Sequence, residues 1–232
     1  MYLKIAVETS RGCFYGDCDY CNLNQQWGPK YRGKQGVSAY EEIRTLVSKY
    51  NTTRLLFVDT NITNRRDLLE QMAADDIDYE CWAEVSAHTN RNRETLELMS
   101  DVGVRNIQIG IEAFSQRLLN VFEKGVNVMQ NVESLKFCLQ FNISLSYNLM
   151  IGHPEETPED IQETLDLIDY VRYFEPPNLA MFTLAIDSPM YERMPHEEIQ
   201  AEFMGSPVLD VFDGPRGESL APRGCHRTIY ED

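Results

Sequence analysis

The sequence predicts an α/β fold, with parallel strands joined by helical crossovers. Two observations carry this. Six short apolar runs alternate with longer segments of helical periodicity, and polar residues stand at the end of every apolar run. Six such strands fit either an open doubly wound sheet or a partial (β/α) barrel, and in both ligands sit at the carboxyl ends of the strands.

The runs are 2–7, 54–59, 80–87, 106–113, 143–152 and 179–186. Between the first two, Ala39, Ile43, Leu46, Val47 and Tyr50 recur at spacings of three and four, predicting an amphipathic helix behind a Ser38 cap. Asn64 is placed to cap the next helix, and Asn92 the one after, which Gly103 ends. Thr157, Pro158 and Asp160 form a capping signature for a helix with Ile161, Leu165 and Ile168 on its apolar face. From about Met204 the texture turns Gly-, Pro- and Arg-rich without periodicity. The expected organisation is therefore a core over 1–203 and a loosely structured tail over 204–232.

Composition bounds the function. With 232 residues, 43% hydrophobic and 25% charged, the chain can bury one large core. It has no run of 18 apolar residues and no signal-peptide pattern, which predicts a cytoplasmic protein with reduced thiols and no membrane span. The net charge of -16, with scattered bases, weighs against nucleic acid as the main partner, because phosphate neutralisation supplies most of such affinity.

The strand-end rule maps a site. The first strand runs into "RGCFYGDCDYCN", three of the six cysteines within nine residues: Cys13, Cys18 and Cys21, with Tyr20 before the last. Later strands end in Asp59, Thr60 and Asn61; in Ser86 and His88; in Gly110 and Glu112; in Gly152 and His153; and in Asp187 and Ser188. Three thiolates are one short of the four ligands of a structural zinc site. A cube of four irons held by three cysteines leaves one iron open, whereas zinc would need a fourth ligand such as His88 or a distant cysteine. Cys81 and Cys138 read as small buried hydrophobes and Cys225 as a free thiol of the tail.

The segment "ETSRGCFYGDCDYC" resembles the cluster loop of the radical S-adenosylmethionine (SAM) superfamily, with Tyr20 in its aromatic place. "VRNIQIGIEAFSQRLLNVFEKGV" and "NLMIGHPEETPEDIQETL" are similar to the fourth- and fifth-strand segments of its cobalamin-dependent types, and the wording looks closest to members that mature ribosomally made peptides. The resemblance runs from about residue 4 to about residue 195. It implies a partial (β/α)6 TIM-like barrel of the radical SAM type, with a [4Fe–4S] cluster on Cys13, Cys18 and Cys21. The open iron would bind SAM, and an electron from the cluster would release a 5′-deoxyadenosyl radical.

Further expectations follow from the same resemblance. Glu112 is expected to accept hydrogen bonds from SAM, its alternative being a salt bridge to a neighbouring Lys or Arg. Asp59, Thr60 and Asn61 stand near the place of the methionine amine. Gly110 lies on the same strand end as Glu112, and Ile151 and Gly152 bring backbone toward the adenine. His88 and His153 read equally as rim residues and proton carriers.

The implied partners are a peptide or peptide-like substrate, with methylation among the implied reactions, and an electron donor such as a flavodoxin or ferredoxin. Two departures stand out: the cysteine spacing is x4-x2 where the family usually has x3-x2, and cobalamin would come from another domain or chain, so the chain reads as a fragment, a minimal enzyme or a decayed copy. The alternatives are an RNA-modifying radical SAM protein and a noncatalytic metal-binding partner module.

Overall fold

In the computed structural model, which describes residues 3–28, 30–88, 93–195, 197 and 199, six strands form one parallel sheet. The chain opens with β1 (Ile5–Val7), followed by β2 (Ser10–Arg11), α1 (Leu23–Trp27), β3 (Arg32–Gly33) and α2 (Gly36–Tyr50). Then come β4 (Arg54–Phe57), α3 (Arg66–Ala73), β5 (Glu80–Ser86), α4 (Arg93–Val102) and β6 (Val104–Glu112). Two helices, α5 (Gln116–Val121) and α6 (Val128–Gln140), lead to β7 (Ser144–Ile151). After it follow α7 (Pro158–Val171), β8 (Asn178–Met181) and α8 (Pro189–Arg193).

The sheet order is β1-β4-β5-β6-β7-β8. Strands therefore neighbour one another in chain order, without the reversal of a doubly wound sheet, and this decides for the barrel. Among the described residues β1 and β8 do not pair, so the barrel is open.

Period-two alternation divides the two faces of the sheet. Leu55 and Phe57, Cys81, Ala83 and Val85, Ile107, Ile109 and Ile111, and Tyr147 and Leu149 are buried in one core with helix residues such as Ile43, Leu69, Leu96 and Leu135. The alternate positions carry Glu84, Gln108 and Ser146, which stand side by side in register across β5, β6 and β7. They are exposed or half-exposed. The helix-free face of the barrel is thus polar, while the helix-covered face holds the apolar core.

Several caps differ from expectation. Helix α2 begins at Gly36 behind an extended Gln35, two residues before Ser38, which lies exposed in the first turn. Gly36 is buried, and a Cβ there would lie 2.6 Å from Asp67 Oδ2. Asn64 closes a short 3-10 turn (Ile62–Asn64) and caps nothing; Asn61 caps that turn, and α3 starts later, after Arg65. Gly103 does end α4, at φ +94°, where a Cβ would collide with the Tyr79 carbonyl. Asn92, Cys225 and the expected tail over 204–232 lie outside the described residues. The hairpin of β2 with β3 was not foreseen, and β8 is half the expected length.

The largest correction concerns α7. Ile161 and Leu165, expected to face the core, are 47% and 53% exposed. Asp160 is buried instead, with Leu167, Ile168 and Val171 packed inward. The Thr157–Asp160 capping box forms as expected, but the same carboxylate also accepts from Ser115 Oγ at 2.6 Å and from Arg117 Nε at 3.1 Å. These bonds turn the acidic residue inward and leave Ile161 and Leu165 toward solvent, while Ile168 of the same expected face packs inward. They also tie the β6–α5 corner to the start of α7.

The Arg117 guanidinium, with Ser115 and Thr157, holds the Asp160 carboxyl below the usual carboxylate range. A depressed folded-state value contributes stability fully above the unfolded value of about 4, and loses it as pH falls through the folded value. Asp160→Asn should lower the unfolding free energy at pH 7 by about 2 kcal/mol in urea titrations, the scale of a hydrogen bond to a charged group. The difference from wild type should shrink as the pH drops below about 4. A difference that stays constant to pH 2 would show that the charge contributes nothing.

Candidate active site

The end of β1 is set by β4. Asp59, 1% exposed, accepts from Thr9 N at 3.0 Å, from Thr9 Oγ1 at 2.7 Å and from Ser10 Oγ. Arg65 reaches across to the Thr9 carbonyl at 2.6 Å and the Lys34 carbonyl at 2.5 Å. Asp59 therefore stands beneath the cysteine loop as its anchor. Thr60 donates to the Gly12 carbonyl at 2.8 Å, one residue before Cys13. Asn61 is 5% exposed and holds Thr63 and the Ser86 amide, joining the ends of β4 and β5.

The loop itself is clamped at many points. Asp19 donates its amide to the Phe122 carbonyl at 3.0 Å and accepts from the Met190 amide at 2.9 Å. Its buried carboxylate is gripped by both terminal nitrogens of Arg193. Asn22 donates to the Ile186 carbonyl at 2.9 Å, and Tyr15 to the Glu123 carbonyl at 2.7 Å. The extra residue of the first cysteine gap is absorbed near Gly16, at φ +77°, where a Cβ would lie 2.1 Å from Asn24 Nδ2. Asn24 donates to the Gly16 carbonyl at 3.0 Å, so the insertion is a built turn.

All three cysteines of the loop are free and partly exposed, while Cys81 and Cys138 are buried as expected of small hydrophobes. Burial pushes the Cys18 thiol up to about 11 and raises Cys21, and Cys13 and Cys21 both act on Cys18 through their charges. All three lie on one loop, nine residues from first to last. Among the described residues, no three Cys, His, Asp or Glu side chains converge as ligands of one metal ion. His88, the alternative fourth ligand, stacks on Tyr15 with ring centroids 4.0 Å apart and engages Ser86 Oγ through Nδ1 at 2.8 Å. Three free thiols on one loop suit a thiolate-held iron–sulfur cluster.

Tyr20 lies edge-on to Phe122, with centroids 5.7 Å apart. Its hydroxyl accepts from Lys124 Nζ at 2.9 Å, and the same ammonium stands 3.2 Å from Glu112 Oε1. Glu112 reaches this point through a register shift between β6 and β7 and a left-handed backbone at φ +65°. Gly110 makes room: a Cβ there would come within 2.8 Å of both Glu112 Oε1 and Lys124 Nζ. The alternative expectation for Glu112 is a salt bridge to a neighbouring Lys or Arg. That salt bridge is present.

Ile151 closes β7, opposite Met181 in register, and accepts the Phe182 amide at 2.8 Å. Gly152, at φ +80°, donates its amide to Glu156 at 2.7 Å. His153 is no rim residue. It is 4% exposed, lies between Phe122 and Phe182, and burial lowers its pKa.

The structure thus brings Cys18, Tyr20, Gly110 and Glu112 together, puts Asp59, Thr60 and Asn61 underneath as supports, and leaves Ile151 and Gly152 at a separate strand end. Lys124, Asp19 and Arg193 were missed. Their local sequence shows only a charged residue in a loop or a short helix, and such residues are usually solvated.

A parallel barrel, open on one side and bearing a three-cysteine loop at its carboxyl mouth, is a defined class of protein. Residues 7–168 match the radical SAM superfamily, and the chain belongs to that superfamily. Membership implies a [4Fe–4S] cluster and SAM as cofactors. The chain is 27% identical over 176 residues to an uncharacterized methyltransferase of Pyrococcus horikoshii, covering 72% of this chain and 38% of that protein. It is 30% identical over 186 residues to a tRNA-2-methylthio-N(6)-dimethylallyladenosine synthase of Desulforamulus reducens, covering 74% and 40%. Its fold superposes on the cobalamin-dependent S-adenosylmethionine radical enzyme OxsB with a TM-score of 0.72 at 15% identity, covering 86% of this chain and 36% of that one. The chain spans well under half the length of each. No described helix is long and apolar enough to cross a membrane.

Arg193 is the outer clamp of the loop. Arg193→Ala should leave the Asp19 carboxylate buried without its cation and speed hydrogen exchange at the Asp19 amide by tenfold or more, as expected when roughly 1.4 kcal/mol or more of local protection is lost. Unchanged exchange there would show that α8 does not hold the loop.

Proposed function

We propose that this chain is the core of a radical SAM enzyme that holds one [4Fe–4S] cluster on Cys13, Cys18 and Cys21, binds SAM at the mouth of the barrel, and transfers a methyl or related one-carbon group. The observation that carries the reading is the three-thiol loop, with Cys13, Cys18 and Cys21 free and partly exposed and the loop clamped over the strand ends. When bound, the cluster supplies the electron that cleaves SAM.

The chain's own residues bind and orient. Thiol ligands must lose their protons on coordination, so loading releases protons from a Cys18 that burial otherwise keeps protonated. Glu112 offers an anion at the strand end for the ammonium or ribose hydroxyls of SAM, and Gly110 leaves the space for it. Asp59, Thr60 and Asn61 position the loop and the neighbouring strand end from below. The polar row of Glu84, Gln108 and Ser146 faces the open side of the sheet, where a substrate would lie.

Support for methyl transfer is the relative named as a methyltransferase. A peptide substrate is favoured by the net charge of -16 and by the wording of the cluster and fifth-strand segments. The relative named as a tRNA-modifying synthase makes RNA the second reading. Cobalamin fits the same picture, supplied by another domain or chain, and a flavodoxin or ferredoxin is the expected electron source.

Anaerobically reconstituted protein should contain iron and sulfide at about four each per chain, and should release 5′-deoxyadenosine from SAM under a strong reductant. Cys13→Ala, Cys18→Ala and Cys21→Ala should each lose the cluster, while Cys81→Ala and Cys138→Ala should keep it. One tightly bound zinc per chain would overturn the reading. Glu112→Gln should weaken SAM binding about tenfold or more in the loaded protein, as expected for loss of a hydrogen bond to a charged group. Unchanged affinity would remove Glu112 from the SAM site.

Substrate class is separable by salt. Binding of tRNA should be negligible at physiological ionic strength. A submicromolar affinity falling steeply with added salt would put RNA in place of peptide and leave the radical chemistry standing.

A further inference from the structure

Lys124 occupies a position that costs backbone strain to reach. It sits between Glu123 at φ +50° and Gly125 at φ +66°, so the chain passes through the left-handed region on both sides of it. A left-handed non-glycine residue is strained, and persists where surrounding contacts over-determine it. Gly125 has no freedom to be anything larger: a Cβ there would lie 2.4 Å from Tyr15 Oη and 2.8 Å from His88 Nε2.

Between these two residues the side chain of Lys124 turns inward and is 7% exposed. It meets two groups from distant parts of the sequence, the Tyr20 hydroxyl and the Glu112 carboxylate, the second of which also reaches it through a left-handed residue. Two residues earlier, Phe122 carries the Tyr20 ring and accepts the Asp19 amide. Two strained segments thus bring a buried cation and anion together beside the thiols.

We infer that Lys124 is a positioning residue for the cluster loop: its buried ammonium ties the segment between Cys18 and Cys21 to the β6 end, and places a fixed positive charge beside the thiolates. The inference rests on the assignment of Cys13, Cys18 and Cys21 as cluster ligands. It deepens that assignment by giving the site an electrostatic control. A four-iron cube on three thiolates gains one negative charge when it takes one electron from the donor. A fixed cation nearby stabilises the reduced form, and a fixed anion opposes it. Lys124 raises the reduction potential in this account, and Glu112 lowers it.

The test is a redox titration of the reconstituted cluster, followed by electron paramagnetic resonance without SAM, on wild type and three variants. Lys124→Met should move the potential to a more negative value. Glu112→Gln should move it the other way, and Lys124→Arg, which keeps the charge, should stay near wild type. Packing damage alone would not produce shifts of opposite sign from two residues in one ion pair.

A Lys124→Met protein that loads its cluster and keeps the wild-type potential overturns the inference and leaves the cluster assignment intact. Where Lys124→Met fails to fold, the Glu112→Gln shift decides: an upward shift supports the charge effect and no shift overturns it. A wild-type chain that takes up no four-iron cluster overturns both the inference and the assignment beneath it.

Discussion

Hydrogen bonds from its neighbours, together with the packing of Tyr20 on the core, set the shape of a loop that carries three thiols in nine residues. Around Cys13, Cys18 and Cys21 nearly every such bond comes from a different element. Thr60 after β4 holds Gly12, the end of α5 holds Asp19, α8 holds the other side of Asp19, and Lys124 holds Tyr20. Remove the barrel and the loop has no reason to keep its form. The barrel in turn serves the loop, because sequential parallel strands bring all these ends to one mouth.

Charge is distributed with the same economy. The chain is strongly acidic, yet its buried cations sit where anions and carbonyls gather at the mouth. Arg65 spans the Thr9 and Lys34 carbonyls, and Lys124 lies between a phenol and a carboxylate. A buried charge without a partner is expensive, so each is over-determined by fixed acceptors. Asp160 follows this rule away from the mouth. Its partners on α5 lock the corner after β6, the corner from which Glu112 and Lys124 both descend.

The helix-free face of the sheet has a different character. Glu84, Gln108 and Ser146 leave it polar and accessible, which suits a site that must admit a substrate rather than fill itself with side chains. Under half of each longer relative is represented by this chain.

Much was legible in the sequence. Periodicity located all six sheet strands and the helices α2, α3, α4 and α7, but not α5 or α6, because burying one face of an element leaves a period in its sequence. The cysteine spacing, the Tyr20 position and the Glu112 strand end were legible for a similar reason: chain-order strands put their carboxyl ends at one mouth whatever the loops do.

Tertiary structure decided what depends on residues far apart in sequence. The inward turn of Asp160 on α7 was set by Ser115 and Arg117, some 45 and 43 residues before it. Asp59 became a support because Thr9 and Ser10 consume its oxygens, and His153 left the rim because two phenylalanines enclose it. Lys124 is the sharpest case. Its local sequence, between a glutamate and a glycine, describes an ordinary surface turn, and only the left-handed backbone on either side sends the ammonium inward to Tyr20 and Glu112. Local sequence determines which elements form, but a backbone dihedral chosen by distant contacts determines where a charge comes to rest.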